Sequence, residues 1–201
     1  MMTPLKALCA ALLAGVALAA SAEEASPAYV GGSWGVRSLY SVGCMPGEDC
    51  SYATNRSGKL FGGYTLGSGT MFSRNVTDAV ELSVFAVHGK YTTSADGWMR
   101  SRAVSKGLAA SWARSTDLGS GIALNSRLGV AYSRSHSDGQ FQGYPAWHSN
   151  DRDRFGVTAG LGLSYALTPH WSVRADYDYL PIKYESARHV NMWSLGAAYQ
   201  F

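Results

Sequence analysis

The sequence predicts an all-β fold, an eight-stranded antiparallel up-and-down transmembrane β-barrel. Three observations lead to this prediction: apolar residues alternate with period 2 in eight segments, aromatic residues gather near the segment ends, and long connections alternate with short ones. Alternation with period 2 is typical of strands, because successive side chains of a strand point to opposite faces.

Composition and charge exclude several other classes of protein. The chain has 201 residues, of which 46% are apolar, 15% charged and 12% aromatic, which is typical of one folded domain rather than a disordered chain. After residue 22, no run of apolar residues approaches the length of about 18 that a membrane-spanning helix requires. The formal charge of +3 is spread along the chain, which argues against nucleic-acid binding.

The N-terminal segment, residues 1–22, has the pattern of a secretory signal peptide. A short head with one positive charge precedes an apolar run from Ala7 to Leu18, and Ala20-Ser21-Ala22 forms a small-residue cleavage signal. A buried helix is the weaker interpretation, because two glutamates follow at once. The sequence therefore predicts an exported protein whose mature domain is residues 23–201.

Two cysteines of the predicted mature chain, Cys44 and Cys50, lie in one short polar stretch. An even number of cysteines in an exported protein predicts a disulfide, with two free thiols as the alternative. A metal site that used Glu48 and Asp49 would lack further ligands, and we expect no cofactor.

The eight alternating segments each have one large apolar face and one face of small or polar residues. They cover residues 29–36, 59–66, 79–86, 107–112, 122–132, 156–167, 171–179 and 192–201. A soluble barrel or sandwich would show the same alternation, but its solvated face would carry long Lys and Glu side chains. Aromatic residues near strand ends are typical of the two membrane interfaces. The sequence therefore predicts that the apolar face contacts lipid and the small polar face lines the interior.

The connections predict the orientation. The ranges 39–57, 90–101, 134–152 and 181–190 are long and polar and are expected outside the cell. The ranges 114–120 and 168–170 are short and are expected on the periplasmic side, which is the usual arrangement in outer-membrane barrels. The range 67–78 belongs to the periplasmic set but is longer than this pattern predicts.

Charges that fall in mid-strand on the inward face form a balanced set of three cations and three carboxylates. They are Lys59, Glu81, Arg127, Arg174, Asp176 and Asp178. Buried charges require partners, and small neighbours leave room for long arginine chains, so the sequence predicts a salt-bridged interior. The alternative is a gated conduit in which these pairs rearrange.

Five segments together resemble the OmpA-like family of eight-stranded outer-membrane barrels. They are Lys59–Tyr64, Ala79–Leu82, Arg127–Ala131, Trp171–Tyr177 and Trp193–Phe201. The resemblance implies the outer membrane of a Gram-negative cell. It also implies an assembly signal at Trp193, Leu195, Tyr199 and Phe201 that the outer-membrane assembly machinery reads. Because the sequence ends at Phe201, we expect the barrel domain without the peptidoglycan-binding domain of larger members.

The outer loops are the predicted place of a specific function, because loops on rigid scaffolds often bind ligands. Phe141, Tyr144 and Trp147 in the third outer loop suggest an adhesin-like role on a host or environmental surface, beside a structural role in the envelope. Packing of one loop over another is the alternative. Lys106 has lipid-facing parity and is placed to reach lipopolysaccharide phosphates, or else it only extends its amine to water.

Two other functions compete with surface binding. The first is a narrow, low-conductance pore. The second is a lipid-modifying hydrolase that uses His136-Ser137 or His148-Ser149, but adjacent residues of an extended chain point in opposite directions and no acidic partner is evident. We therefore expect no enzymatic activity. We also expect the protein to be a monomer.

Overall fold

The computed structural model describes residues 27–40, 53–54, 56–93, 99–141, 143, 145–148, 151–184 and 187–201. Eight long strands are present: β1 (Ala28–Tyr40), β2 (Ser57–Met71), β3 (Arg74–Thr93), β4 (Met99–Gly119), β5 (Ile122–Phe141), β6 (Arg152–Ala166), β7 (Trp171–Tyr184) and β8 (Ala187–Gln200). Two segments of two residues each, Ala53–Thr54 and Trp147–His148, pair with β1 and β5. No helix among these residues is long and apolar enough to cross a membrane.

The eight long strands form a closed antiparallel ring. Each strand pairs with the next one along the chain, and β1 pairs with β8 from Tyr29↔Gln200 to Tyr40↔Val190. Where all eight strands are paired, closure leaves the ring without a free sheet edge. The predicted eight-stranded up-and-down barrel is confirmed.

One end of the barrel, here called the turn end, carries both chain ends of the ring and three short connections. β2 and β3 meet in a hairpin at Phe72 and Ser73, whose φ angles are 50° and 61°. Positive φ at both central residues is what a two-residue hairpin with a type I′ turn requires. The predicted loop 67–78 was wrong, because β2 and β3 remain paired from Gly67↔Asp78 to Met71↔Arg74.

At the opposite end, here called the loop end, the strands run further than the sequence predicted. β3 continues to Thr93, β4 begins at Met99 and β5 continues to Phe141, so large parts of the predicted loops 90–101 and 134–152 are strand. Outer-membrane barrels usually direct this end out of the cell.

The predicted loop 181–190 was also mostly wrong, because β7 reaches Tyr184 and β8 begins at Ala187. The pairing of β7 with β6 ends at Tyr179, so Pro181 lies beyond it and pairs only with His189 of β8. A proline is tolerated where a strand edge has no partner, because its missing N–H is not needed there.

The outer wall of the barrel is apolar. Large apolar side chains on this wall are strongly exposed, among them Leu60, Leu82, Leu128, Val157, Leu161 and Leu195. Exposed aromatic residues lie toward both ends, including Trp34, Tyr132, Trp112 and Trp171. Such a surface is stable only in contact with lipid, and the fold therefore places the membrane around this wall.

Candidate functional site

The six charged residues singled out in the sequence all point into the barrel. They come from β2 (Lys59), β3 (Glu81), β5 (Arg127) and β7 (Arg174, Asp176 and Asp178), and all are buried. The structure brings them into one cluster in the middle of the interior, here called the charged centre.

Lys59 and Arg127 share the two aspartates of β7. The Lys59 ammonium donates to Asp178 Oδ2 at 2.6 Å. Arg127 donates through Nη2 to the other oxygen of Asp178 at 2.9 Å, and through Nη1 to Asp176 Oδ1 at 3.1 Å. Asp178 therefore joins a cation of β2 to a cation of β5 across the interior.

Glu81 occupies the other side of the charged centre. Its Oε1 lies 3.8 Å from Arg127 Nε, and its Oε2 lies 3.5 Å from Arg174 Nη1. The Tyr29 hydroxyl also donates to Glu81 Oε2 at 3.1 Å. Every buried charge of the cluster thus has an opposite charge within 4 Å, which offsets the large cost of removing it from water.

The sequence interpretation missed two aromatic members of this cluster, Tyr29 and Phe61. The Arg174 guanidinium carbon lies 4.5 Å from the centroid of the Phe61 ring, and Lys59 Nζ lies 5.6 Å from it. Cations at these distances are attracted to the face of the ring. The available signal was parity, because both aromatic residues fall on the inward face in the period-2 alternation.

Glycine makes room for the arginine, as the sequence suggested. A Cβ built on Gly160 of β6 would lie 2.6 Å from Asp178 Oδ1 and 2.9 Å from Arg127 Nε. A side chain at this position would therefore displace the ion pair between Arg127 and Asp178.

Toward the loop end, the interior changes from charged to apolar. The apolar plug consists of Tyr40, Phe85, Val87, Ala103, Ala109, Ala131, Leu180, Ile182, Ala187, Val190 and Met192. Val87, Ile182, Val190 and Met192 have no exposed area. The prediction of a small, polar inward face does not hold here, because several of these positions lie in strand extensions that had been interpreted as loop.

Serines complete the plug. Ser133 Oγ donates to the Pro181 carbonyl at 2.7 Å, and the hydroxyls of Ser105 and Ser135 are 2.8 Å apart. All three serines are buried. These three buried serines are therefore hydrogen-bonded, as most buried polar groups are.

Toward the turn end, the interior opens into a polar cavity of about 260 Å³. Tyr29, Glu81, Arg127 and Arg174 form part of its wall, together with Asn125, whose Nδ2 donates to Ser164 Oγ at 2.9 Å. The interior thus has three layers: a polar cavity, the charged centre and the apolar plug.

The loop end carries a sheet that extends beyond the membrane boundary. On β4, β5 and β6 the outward face changes from charged to apolar within two residues: Lys106 to Leu108, Arg134 to Tyr132, and Asp153 to Phe155. Beyond this boundary, residues 87–93 of β3, 99–105 of β4 and 135–141 of β5 remain paired. We refer to this sheet as the β3–β5 projection.

The predicted surface-binding residues fall on or beside this projection. Phe141 ends β5 and pairs with Met99, and Trp147 pairs with Gly139. Tyr144 lies outside the described residues, as do Cys44, Cys50 and the predicted signal peptide.

The outward charges of β5 at the boundary and just beyond it are paired. Arg134 Nε donates to Asp153 Oδ1 at 2.8 Å, and this bond holds the pKa of the Asp153 carboxyl below its ordinary value. His136 contacts two carboxylates, Asp151 at 3.0 Å through Nδ1 and Asp138 at 3.2 Å through Nε2. The sequence interpretation had found no acidic partner for a histidine here, and that was wrong.

His136 and Ser137 nevertheless do not form a nucleophile and base. His136 lies on the outer face and is exposed, whereas Ser137 is on the inward face and buried. Among the described residues, no group of three His, Cys, Asp or Glu side chains could hold a metal ion.

The residues of the implied assembly signal lie on the lipid-facing side of β8 or at its end. Trp193 and Leu195 are exposed, and the Trp193 ring packs against Tyr177 at a centroid distance of 4.8 Å. Tyr199 packs edge-on against Trp171 and Phe201, at 5.1 Å in each case.

A closed ring of strands with an apolar outer wall defines an integral membrane β-barrel. The chain matches the family described as outer membrane protein beta-barrel domain over residues 7–201. The protein belongs to this family and is an outer-membrane protein, and the resemblance to outer-membrane barrels noted in the sequence is confirmed.

Solved structures with this fold include bacterial surface proteins. Ail, the attachment invasion locus protein of Yersinia pestis, is 15% identical with a TM-score of 0.53, over 88% of this chain and 99% of Ail. Ail in complex with the heparin analogue sucrose octasulfate is 16% identical with a TM-score of 0.52, over 87% of this chain and 98% of the other. Neisserial surface protein A is 20% identical with a TM-score of 0.51, over 89% of this chain and all (100%) of that protein. At these identities the likeness establishes the fold alone. A comparison with curated protein sequences found no match.

Proposed function

We propose that this protein is a surface-binding, adhesin-like component of the outer membrane, in which the barrel is the anchor and the β3–β5 projection contacts a ligand outside the cell. The observation behind this proposal is the unequal length of the strands. β3, β4 and β5 have 20, 21 and 20 residues, whereas the other five have 13 to 15.

The extra length of β3, β4 and β5 is not needed to cross the membrane. Transmembrane strands of about 9 to 11 residues are long enough to cross a bilayer. Seven residues of each of the three strands lie beyond the row of Lys106 and Arg134, which corresponds to about 23 Å of extended chain. A paired sheet of this length presents side chains well above the lipid headgroups.

The ligand is proposed to meet the aromatic end of the projection. Phe141 and Trp147 lie there, and aromatic residues are enriched among the side chains that dominate binding interfaces. On β5, Arg134 and His136 are paired with Asp153 and Asp151, so these two residues do not offer free positive charge to a polyanion. Ail, the attachment invasion locus protein, is a precedent for attachment by a barrel of this fold.

Adhesion of cells that display the protein tests the proposal. Bacteria without adhesins of their own would express the wild type, the double variant Phe141→Ala/Trp147→Ala, or the control Phe155→Ala, which removes an exposed aromatic residue at the membrane boundary. Binding to cultured epithelial cells and to polystyrene would be counted at equal surface expression. We expect the double variant to lose adhesion to at least one surface while the control retains it. Equal adhesion by all three proteins, or by cells without the protein, would contradict the proposal.

The pore alternative predicts a different result in planar bilayers. The charged centre and the apolar plug close the interior beyond the polar cavity, so we propose that the barrel does not conduct. Single-channel steps in the wild type that change on Arg127→Ala would favour the pore.

The export signal and the disulfide are part of the same proposal. N-terminal sequencing of the envelope form should begin at Glu23. A peptide map without reduction should link Cys44 to Cys50, whereas alkylation of both cysteines without reduction would refute the disulfide.

A further inference from the structure

The outer wall of the barrel carries an apolar groove on β1 to β4, just below the loop-end boundary. Its volume is about 690 Å³, within the range of small-molecule sites, and its lining is mainly apolar. Trp34, Leu60, Val84 and Ala86 contribute outward side chains to it.

The groove results from a row of large and small residues in register. Trp34 of β1 pairs with Gly58 of β2, Ala86 of β3 lies next, and Lys106 of β4 follows. Two long side chains thus flank a glycine and an alanine, so the wall is recessed between them. An extended hydrocarbon chain fits such a recess, because burial of apolar surface is favourable and has no directional requirement.

Basic side chains line the loop-end rim of the same groove. Arg56, His88 and Lys106 all border it and are exposed. Neither Arg56 nor Lys106 has a carboxylate within salt-bridge distance among the described residues. This differs from β5 and β6, where Arg134 of the same boundary row is paired with Asp153 at 2.8 Å.

We propose that this groove binds one phosphorylated lipid of the outer leaflet, with an acyl chain between Trp34 and Lys106 and the phosphate at Arg56 and Lys106. The order of chemistry along the groove matches that of a lipid, with apolar residues at membrane depth and, at the headgroup level, cations that have no carboxylate partner among the described residues. Charge-assisted hydrogen bonds from arginine and lysine are the usual way in which proteins hold phosphate. This site is separate from the β3–β5 projection and does not depend on the proposed adhesion.

Two variants test the apolar recess and the basic rim of the groove separately. Gly58→Leu fills the recess, and the outward position tolerates a side chain, since a built Cβ meets only the Ser33 carbonyl oxygen, at 3.5 Å. Its control is Ala159→Leu, an outward, exposed position on β6 across the barrel. Arg56→Gln/Lys106→Gln removes the cations, and Lys183→Gln on β7 is the control for an exposed charge at the same end.

Native mass spectrometry of the full-length mature protein in non-ionic detergent would measure the binding. The probes are phosphatidic acid, a diacylglycerol with the same chains, and glycerol 3-phosphate. We expect one molecule of phosphatidic acid to bind, and the other two probes to bind at least about tenfold more weakly, because each lacks one half of the ligand. Gly58→Leu and Arg56→Gln/Lys106→Gln should each weaken phosphatidic acid binding about tenfold, and the two controls should stay within about twofold.

Several results would overturn the proposal. Diacylglycerol that binds as tightly as phosphatidic acid would remove the role of the cations. Unchanged binding in Gly58→Leu, or an equal loss in Ala159→Leu, would remove the role of the groove. Folding of each variant is checked by the mobility shift between unheated and heated samples. If Gly58→Leu does not fold, Ala86→Leu fills the same groove from β3 and decides the question.

Discussion

The charged centre and the apolar plug fill adjacent parts of one barrel interior by different physical means. In the charged centre, Asp178 must lie within hydrogen-bond distance of both Lys59 and Arg127, so each position is specified by the others. In the plug, residues such as Ile182 and Met192 need only fill space. The comparison predicts that the plug tolerates a volume-conserving change better than the charged centre tolerates a change of charge.

The strongest test of this difference is Glu81→Ala. The substitution leaves Arg127 and Arg174 buried with one carboxylate fewer, and removing one partner of a buried ion pair costs about 3–5 kcal/mol. Reversible unfolding in lipid vesicles would measure the loss of free energy. Glu81→Gln keeps the shape but not the charge, so it should also be clearly destabilised. A neutral result for both would mean that water from the adjacent cavity solvates the arginines.

The matching test in the plug is Ile182→Ala, which should cost about 2–4 kcal/mol because it leaves a cavity in a fully buried layer. The conservative change Ile182→Leu should cost less than about 1.5 kcal/mol, since it preserves volume. The same unfolding assay compares the two. If Ile182→Leu were as harmful as Ile182→Ala, the plug would depend on specific shape, and the contrast with the charged centre would fail.

Leu82, the outward neighbour of Glu81, shows how much a substitution on the lipid-facing wall costs in stability. Leu82→Arg places a charge on the outer wall at a position that is half exposed, and near the bilayer midplane this costs about 2–4 kcal/mol. Unfolding in vesicles should show the loss, and detergent micelles should reduce it because water reaches the wall more easily. An equal cost in both media would place Leu82 away from the membrane.

The smallest effect is expected for Leu82→Ala, at less than about 2 kcal/mol, because lipid fills the space that the side chain leaves. The experiment is worthwhile beside Glu81→Ala, since the two positions are adjacent in the chain and face opposite ways. Reversed magnitudes would mean that the inward and outward faces of β3 are exchanged.

The alternation of apolar residues was sufficient to predict the strands, but it predicted poorly where they end. The period-2 alternation identified all eight long strands, but the strand ends at Thr93, Phe141 and Tyr184 were missed. Beyond the membrane the outward residues become polar, so the contrast between faces fades even though the pairing continues. Phe72 and Ser73 form a tight turn without the asparagine or glycine that usually signals one, and their conformation follows from the paired strands on either side.

The sequence by itself determined which residues face inward, and therefore that three cations and three carboxylates share the interior. Parity is a local property of an extended chain, so it can be read without knowing which strands are neighbours. Only the tertiary structure decided that Lys59 meets Asp178, 119 positions away, that Phe61 and Tyr29 join them, and that Trp34, Gly58, Ala86 and Lys106 align into a groove. These contacts depend on the register between strands and on closure of the ring, which are set by the whole barrel and not by any one segment.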